Sequence, residues 1–326
     1  MSSHLREAFD KNGYLLFPSR LRVEEVENLC AKIQERLRVC AQDLCCSYQE
    51  YLSTVSRWVA PSPITEGLEK FSLTYLQEIL RDFIDGPELV KLNVISKTPM
   101  SPDPTPFHQD ISYSPEAPYE LSAWLALTDV PLASGPVAIL EASHTGAIEP
   151  AVDFWCPTFV QKDFSKDMNY KPLPVKQGQI ILFDSRLWHG SEKNQGIHHR
   201  FAMVTRWRGK NYIPPKIPPI QPQPFGMWTC QKKTEEILKT ALPFPLKGKI
   251  DGYVNLLNYW INYIKATPPT FLKSSQKSIE SLEQVRLLHL AHKNHNGGDS
   301  QGTAYAKLWQ TFLFPLSNTL KNEAGP

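Results

Sequence analysis

Hydrophobic residues in the first quarter of the chain recur at helical spacing. In the stretch RVEEVENLCAKIQERL they return every three or four positions, which places them on one face of a helix. A second helical stretch is predicted over 68–84, before the Gly86-Pro87 pair, and Gly13 is expected to end a first short helix and to begin a short strand. The residues on the predicted apolar face of the long helix are Val23, Val26, Leu29, Cys30, Ile33 and Leu37.

From residue 88 the pattern changes to short apolar runs. Each run has the length of a strand and is bounded by Pro, Gly, Ser or Asp. Because no helical spacing separates them, they predict an antiparallel sandwich or barrel, with its β core at about 88–208 inside a first domain of 1–210. The runs are ELVKLNVIS, ELSAWLALTDV, GPVAILEAS, GQIILFD and RFAMVTRW.

The remainder of the chain is predicted to form a linker and a helical extension. Residues 211–226 contain NYIPPKIPPIQPQP, which is expected to be extended because proline cannot join a central strand. Over 227–326 helical spacing returns, and these amphipathic helices are expected to pack on the core. After Pro224 there are 12 Lys and Arg against 7 Asp and Glu, which favours either an anionic substrate or a solvated helix face.

Composition narrows the class of protein and its partners. Hydrophobic residues make up 41% and charged residues 21%, as in ordinary soluble domains, and a net charge of +2 gives no reason to expect a nucleic-acid partner. No apolar stretch is long enough for a membrane span. The N-terminal MSSHLREAFDKNG has no apolar secretory core, so a cytoplasmic location is expected. The six cysteines form no C-x-x-C pair, and the pattern does not specify an oligomeric state.

The stretch TPFHQDISY contains two side chains of metal-ligand type within one strand-like run. Successive side chains of an extended chain point to opposite faces. His108 and Asp110 are therefore expected on one face, with Gln109 turned away between them.

A third ligand is expected from the segment QGQIILFDSRLWHGSEKN. Its His189 follows an apolar strand and a turn, so it can reach the metal-binding face of a neighbouring strand, whereas His144 in EASHTG is expected to be structural. Two histidines and one carboxylate on one face leave three positions open, as in non-haem Fe(II) oxygenases. A zinc site that keeps one position for water is the alternative.

Arg200 opens the run RFAMVTRW, 11 residues after His189. An arginine fork binds a carboxylate with two hydrogen bonds, as a dicarboxylate co-substrate would require. By strand alternation Arg206 lies on the same face and is also expected to reach the pocket.

Three segments together resemble the phytanoyl-CoA dioxygenase family. They are HQD at 108–110, AWLALTDVPLASGPVAILEASHTG at 123–146, and LFDSRLWHGSEKN followed by Arg200. The similarity extends over roughly 10–207, including NGYLLFP. It implies a mainly β fold with flanking N-terminal helices and a double-stranded β-helix (jelly-roll, cupin-like) core, with Fe(II) as cofactor, 2-oxoglutarate as co-substrate, and O2.

The resemblance also implies roles for individual residues. Iron ligands would be His108, Asp110 and His189. Arg200 would bind the distal carboxylate of 2-oxoglutarate, with four further positions lining the pocket: Trp124, Ser191, Gln109 and Asn93. The chain departs from the family at Ala142, where glycine is usual, and at Pro136, where a strand residue is commoner.

The activity that the resemblance implies is hydroxylation of a small molecule with release of succinate and CO2. Asp110 argues against a halogenase, because those relatives replace this carboxylate with a small residue. Desaturation and cyclisation by the same oxidant remain alternatives. So does a non-catalytic jelly-roll binding protein; a zinc hydrolase is disfavoured because no separate general base is recognisable.

Overall fold

A computed structural model describes residues 3–18, 21–43, 48, 68–99, 105–115, 117–151 and 168–221. The chain divides into two compact units. The first contains residues 1–34, 64–151 and 160–221, with every strand given below. The second contains 35–63, 152–159 and 222–326, of which only 35–43 and 48 are described. Residues 211–220 form no helix or strand, whereas 222–226 and the predicted helical extension at 227–326 lie outside the described residues. The linker at 211–226 stays a prediction.

The N-terminal helices follow the apolar spacing of the sequence. Helix α1 (Ser3–Asn12) ends at Gly13, whose φ of 79° is left-handed, and strand β1 (Tyr14–Phe17) begins immediately afterwards, as predicted. Helix α2 (Val23–Asp43) buries all of its predicted apolar face except Val23, which lies exposed in the first turn. No described helix is long and apolar enough to cross a bilayer.

The predicted helix at 68–84 consists of three helical pieces. Helix α3 (Leu68–Phe71) continues through a π-helical segment (Ser72–Leu76) into helix α4 (Gln77–Leu80). The buried hydroxyl of Ser72 lies 3.9 Å from the sulfur of Met203, so these helices cover the outer face of a sheet.

Two antiparallel sheets form the centre of the first unit. The five-stranded sheet has the order β1-β7-β4-β9-β2, with β2 (Glu88–Lys97), β4 (Leu121–Ala126), β7 (Ile180–Asp184) and β9 (Arg200–Arg208). The four-stranded sheet has the order β3-β8-β5-β6, with β3 (Thr105–His108), β5 (Val137–Leu140), β6 (Tyr170–Leu173) and β8 (His189–Ser191).

The core lies between the two sheets. Trp124, Ile181 and Val204 from the five-stranded sheet belong to the same buried cluster as Ile139 and Leu173 from the four-stranded sheet. Two facing antiparallel sheets around one core are the jelly-roll architecture, so the predicted fold class is confirmed. Among the described strands, β6 and β8 are not among the predicted apolar runs, because YKPL and HGS contain few apolar residues.

Candidate metal centre and co-substrate pocket

Strand pairing brings the two predicted histidine ligands together. His108 is the last residue of β3 and lies directly opposite His189 on β8, with ring centroids 4.3 Å apart. The expectation that Asp110 lies on the same strand is wrong, because β3 ends at His108 and Asp110 begins a 3-10 turn. Gln109 is nevertheless extended (φ −105°, ψ 121°), and alternation across it turns Asp110 toward His108.

The three side chains form a compact, buried ligand set. Nε2 of His108 lies 3.4 Å from Oδ1 of Asp110, and Nε2 of His189 lies 3.7 Å from the same oxygen. One ligand atom from each residue lies within 4.8 Å of the others, and no other such cluster occurs among the described residues. Nδ1 of His189 is 2.9 Å from the carbonyl oxygen of Leu187, so its N–H donates there and Nε2 faces the cluster. Two imidazoles and one carboxylate suit Fe(II).

The surrounding charges keep these side chains in the protonation states that bind a cation. Burial raises the pKa of Asp110, but the positive charge of Arg206, 3.7 Å away, together with both histidines, lowers the net pKa well below its usual range. Burial, followed by repulsion from His108, lowers the pKa of His189 to about 4. The carboxylate is therefore ionised and His189 neutral near pH 7, which are the forms that coordinate metals.

Polar side chains of the five-stranded sheet hold the carboxylate of Asp110 in position. Ser122 on β4 donates a 3.0 Å hydrogen bond to Oδ2 of Asp110. Arg206 on β9 donates 2.7 Å hydrogen bonds to the hydroxyl of Tyr119 and to Oδ1 of Asn93. Arg206 therefore reaches the site, as strand alternation predicted, and lies beside the metal-binding carboxylate.

Arg200 lies on β9 like Arg206, six residues earlier, and is deeply buried. It is 2% exposed, donates to the carbonyl oxygen of Gly135, and has its guanidinium carbon 5.6 Å from the ring centroid of Trp124. Its partner across the β2–β9 ladder is Lys97, which is 1% exposed and donates to the carbonyl oxygen of Ser191 at 3.0 Å. Two adjacent buried cations, one of them an arginine with a planar fork, suit a bound carboxylate.

The sequence was then compared with known proteins. The family model described as "Phytanoyl-CoA dioxygenase (PhyH)" matches residues 9–202, which is more than half of the chain. The chain belongs to the phytanoyl-CoA dioxygenase family. The predicted family is confirmed, and Fe(II), 2-oxoglutarate and O2 are what the dioxygenases of that family use.

Individual relatives within the family are distant. The human peroxisomal phytanoyl-CoA dioxygenase is 27% identical over 222 residues, which cover 61% of this chain and 65% of the human protein. The mouse phytanoyl-CoA dioxygenase domain-containing protein 1 is also 27% identical, over 158 residues that cover 43% of this chain and 54% of the mouse protein. The aligned region thus spans less than two thirds of these relatives.

Two solved structures share the fold. The non-heme alpha-ketoglutarate-dependent carbocyclase SnoK from nogalamycin biosynthesis has a TM-score of 0.51 at 21% identity, covering 64% of this chain and 84% of SnoK. EvdO2 from Micromonospora carbonacea var. aurantiaca has a TM-score of 0.51 at 19% identity, covering 67% of this chain and 95% of EvdO2. At these identities the likeness supports the jelly-roll assignment.

The structure separates the remaining predicted pocket residues of this family member into two groups. Ser191 is buried on β8, two residues after His189 and so on the same face, and its carbonyl contacts Lys97. Asn93 contacts Arg206 instead of Arg200.

Gln109 is held by backbone groups. Its amide nitrogen donates to the carbonyl oxygens of Ala147 and Arg186, at 3.2 and 2.7 Å, and its oxygen accepts from the backbone nitrogen of Glu149 at 2.8 Å. Gln109 therefore links two loops, at 147–149 and at 186, next to the candidate metal ligands. Its assignment to the co-substrate, like that of Asn93, stays a prediction.

Sequence reasoning missed Lys97, Ser122 and Tyr119. A signal for Lys97 exists in ELVKLNVISK, where alternation places Lys91, Asn93 and Lys97 on one face of an otherwise apolar strand. Ser122 becomes recognisable only once the register places it opposite Arg206 and within reach of Asp110, and Tyr119 only through its hydrogen bond from Arg206.

Proposed function

We propose that the protein is an Fe(II)- and 2-oxoglutarate-dependent dioxygenase that hydroxylates a small molecule and releases succinate and CO2. The observation that carries this proposal is the buried set of His108, Asp110 and His189 together with the buried pair Lys97 and Arg200. Lys97 contacts the carbonyl of Ser191, two residues after His189 on β8. A metal centre next to a carboxylate-binding pocket is what an oxygenase with a dicarboxylate co-substrate requires. Membership of the phytanoyl-CoA dioxygenase family supports the same activity.

His108, Asp110 and His189 would hold the metal. When bound, Fe(II) and 2-oxoglutarate supply the oxidative chemistry, in which O2 converts 2-oxoglutarate to succinate and CO2 and delivers one oxygen atom to the substrate. The carbonyl of Leu187 fixes the tautomer and orientation of His189, and Ser122 fixes the carboxylate plane of Asp110. Phe183, whose ring centroid lies 4.6 Å from that of His189, provides an apolar wall that excludes water.

Arg200 would bind the distal carboxylate of 2-oxoglutarate. Its fork can form two charge-assisted hydrogen bonds, and Lys97 adds a second positive charge from the facing strand. Trp124 packs against the guanidinium and restricts its position. Ser191 offers a buried hydroxyl to the same pocket.

The proposal also covers the type of reaction, the partner and the cellular location. Desaturation and cyclisation use the same residues, because the outcome depends on where the substrate places its C–H bonds. The partner is a small molecule, without nucleic acid. The cytoplasmic location expected from the N-terminal residues stays a prediction that cell fractionation tests.

Succinate release from 2-oxoglutarate tests the proposal through Arg200. Removing one partner of a buried charged pair costs about 2–5 kcal/mol, so Arg200→Ala should raise the KM for 2-oxoglutarate at least about tenfold. Arg200→Lys should restore only part of the affinity, because an ammonium lacks the fork. The matched control is Arg208→Ala, on the same strand but in an exposed pair with Glu88. An unchanged KM in Arg200→Ala, or no succinate from the unaltered protein, would contradict the proposal.

A further inference from the structure

Strands β2 and β9 carry two opposed pairs of cations. Lys97 lies opposite Arg200, and Lys91 lies opposite Arg206. On each strand the two cations are an even number of residues apart, so all four side chains project from the same face of the sheet. Six residues of strand correspond to roughly 20 Å between Cα atoms, so the two pairs lie apart along one face of the sheet. Asp110 lies at the Arg206 end, 3.7 Å from that guanidinium.

The two pairs differ in how open they are. Lys97 and Arg200 are buried, whereas Lys91 is exposed and the side chain of Arg206 is 15% exposed. The described part of the chain provides no hydrogen bond or ion pair to the Lys91 ammonium. The guanidinium of Arg206, by contrast, is held in place by Tyr119 and Asn93. The second pair is therefore a fixed cation beside an exposed one.

The charge balance at this end leaves room for an anion. Asp110 is the acidic group in contact with Arg206 and would share its charge with a bound metal. Desolvation of the Lys91 ammonium by nearby protein atoms, followed by repulsion from Arg206, lowers the pKa of Lys91 to about 8, and the charge of Asp110 offsets this only in part. Lys91 and Arg206 are neighbours across the ladder and repel each other, and an anion bound between them would relieve that repulsion.

We propose that Lys91 and Arg206 form a binding site for an anionic group, a carboxylate or a phosphate, on the molecule that is oxidised. This inference rests on the proposed function, in which Arg200 and Lys97 receive 2-oxoglutarate at the other end. A guanidinium has five N–H donors, and the three contacts described for Arg206 leave donors for a further oxygen. Lys91 then supplies a mobile second cation, and the metal-binding residues lie next to the site.

The test uses small probes that differ only in charge. The protein is loaded anaerobically with Fe(II) and 2-oxoglutarate, and the binding of hexanoate, hexyl phosphate and hexanamide is measured by saturation-transfer NMR. At least one anionic probe should bind at least five times more tightly than hexanamide. Lys91→Met should weaken that probe about five- to tenfold, and Lys91→Arg should retain it. Lys176→Met, at an exposed lysine that pairs with Asp129, should change nothing.

The outcomes separate this inference from the function on which it rests. The visible absorption band of the Fe(II) and 2-oxoglutarate complex is recorded in the same sample. Absence of the band would overturn the proposed function, and this inference with it. A normal band with equal binding of hexanamide and both anions, or with no effect of Lys91→Met, overturns the anion site alone. Preference for hexanoate or for hexyl phosphate assigns the group as carboxylate or phosphate.

Discussion

Asp110 receives a hydrogen bond from the opposite sheet, and this contact should tune metal affinity. Ser122 is fully buried and donates to Oδ2, the oxygen that does not face the histidines. Loss of such an outer partner typically costs 10–100-fold in metal affinity, so Ser122→Ala should raise the Kd for Fe(II) about tenfold. The control is Ser134→Ala, which removes a buried hydroxyl that donates to the carbonyl oxygen of Pro131. An Fe(II) titration that gives equal affinities for both variants would exclude the role of Ser122.

His189 should make the metal-free protein sensitive to acid. Its pKa of about 4 in the folded state is below the ordinary value of 6.5, so between these values the unfolded chain binds more protons. The free energy of unfolding therefore rises with pH in this window. The contribution of His189 to stability is lost as the pH falls from about 6.5 to about 4. We expect a loss of about 1–2 kcal/mol between pH 7 and pH 5 in urea unfolding with chelator present.

The variant His189→Gln cannot titrate at this position. Its unfolding free energy should therefore fall less steeply over the same pH range. If His189→Gln loses as much stability as the unaltered protein, the acid sensitivity arises from other groups.

The structure brings some of the predicted site residues together because their positions follow from local rules. His108 and Asp110 share a face through alternation across one extended residue, and His189 follows an apolar strand and a turn. Lys97 and Ser122 could not be found in this way, because their roles depend on which strands pair and in which register. The pairing is set by contacts distant in sequence, which a pattern along one strand does not contain.

The turn after β5 explains one departure from the family and provides a stability test. Ala142 has φ 62° and ψ 5°, which is the left-handed region, and it is the only non-glycine residue with positive φ in the described ranges. This conformation costs roughly 1–2 kcal/mol for a residue with a Cβ, which accounts for the glycine usual at this position. Ala142→Gly should therefore stabilise the protein by about 0.5–1 kcal/mol after the entropy cost of glycine.

Urea unfolding of Ala142→Gly measures this gain, and the KM for 2-oxoglutarate should not change because Ala142 lies outside the pocket. A less stable variant would show that the Cβ makes contacts that outweigh the backbone strain. Gly13 is the reciprocal case, because a Cβ there would collide with the ring of His144, which packs against it.

Most strands were predictable, and the exceptions have physical causes. The five apolar runs became β2, β4, β5, β7 and β9 because each buries a face in the core. Strand β3 ended earlier than predicted because residues 110–113 form a 3-10 turn, in which the backbone nitrogen of Ile111 donates to the carbonyl oxygen of Ser185. Such a tertiary hydrogen bond leaves no trace in the alternation of TPFHQDISY.

For the molecule as a whole, the sequence was sufficient for family and fold class. The crowded strand-length runs predicted a sandwich or barrel, and the resemblance to the family specified the jelly roll. The residues proposed to bind the metal and the distal carboxylate of the co-substrate are buried in it. The substrate was not predictable, and the proposed anion site illustrates why, because Lys91 and Arg206 become a pair only through the β2–β9 register. The domain limits at 210 and 226 and the packing of 227–326 stay predictions.

An anaerobic Fe(II) titration in the presence of 2-oxoglutarate tests the central claim most directly. The account predicts one Fe(II) per chain and a visible absorption band, both lost in His108→Ala and in His189→Ala while circular dichroism shows a retained fold. The exposed His198, in the loop before β9, provides the control, and His198→Ala should keep the iron and the band. Iron binding and a band in His189→Ala equal to those of the unaltered protein would contradict the assignment of the metal centre.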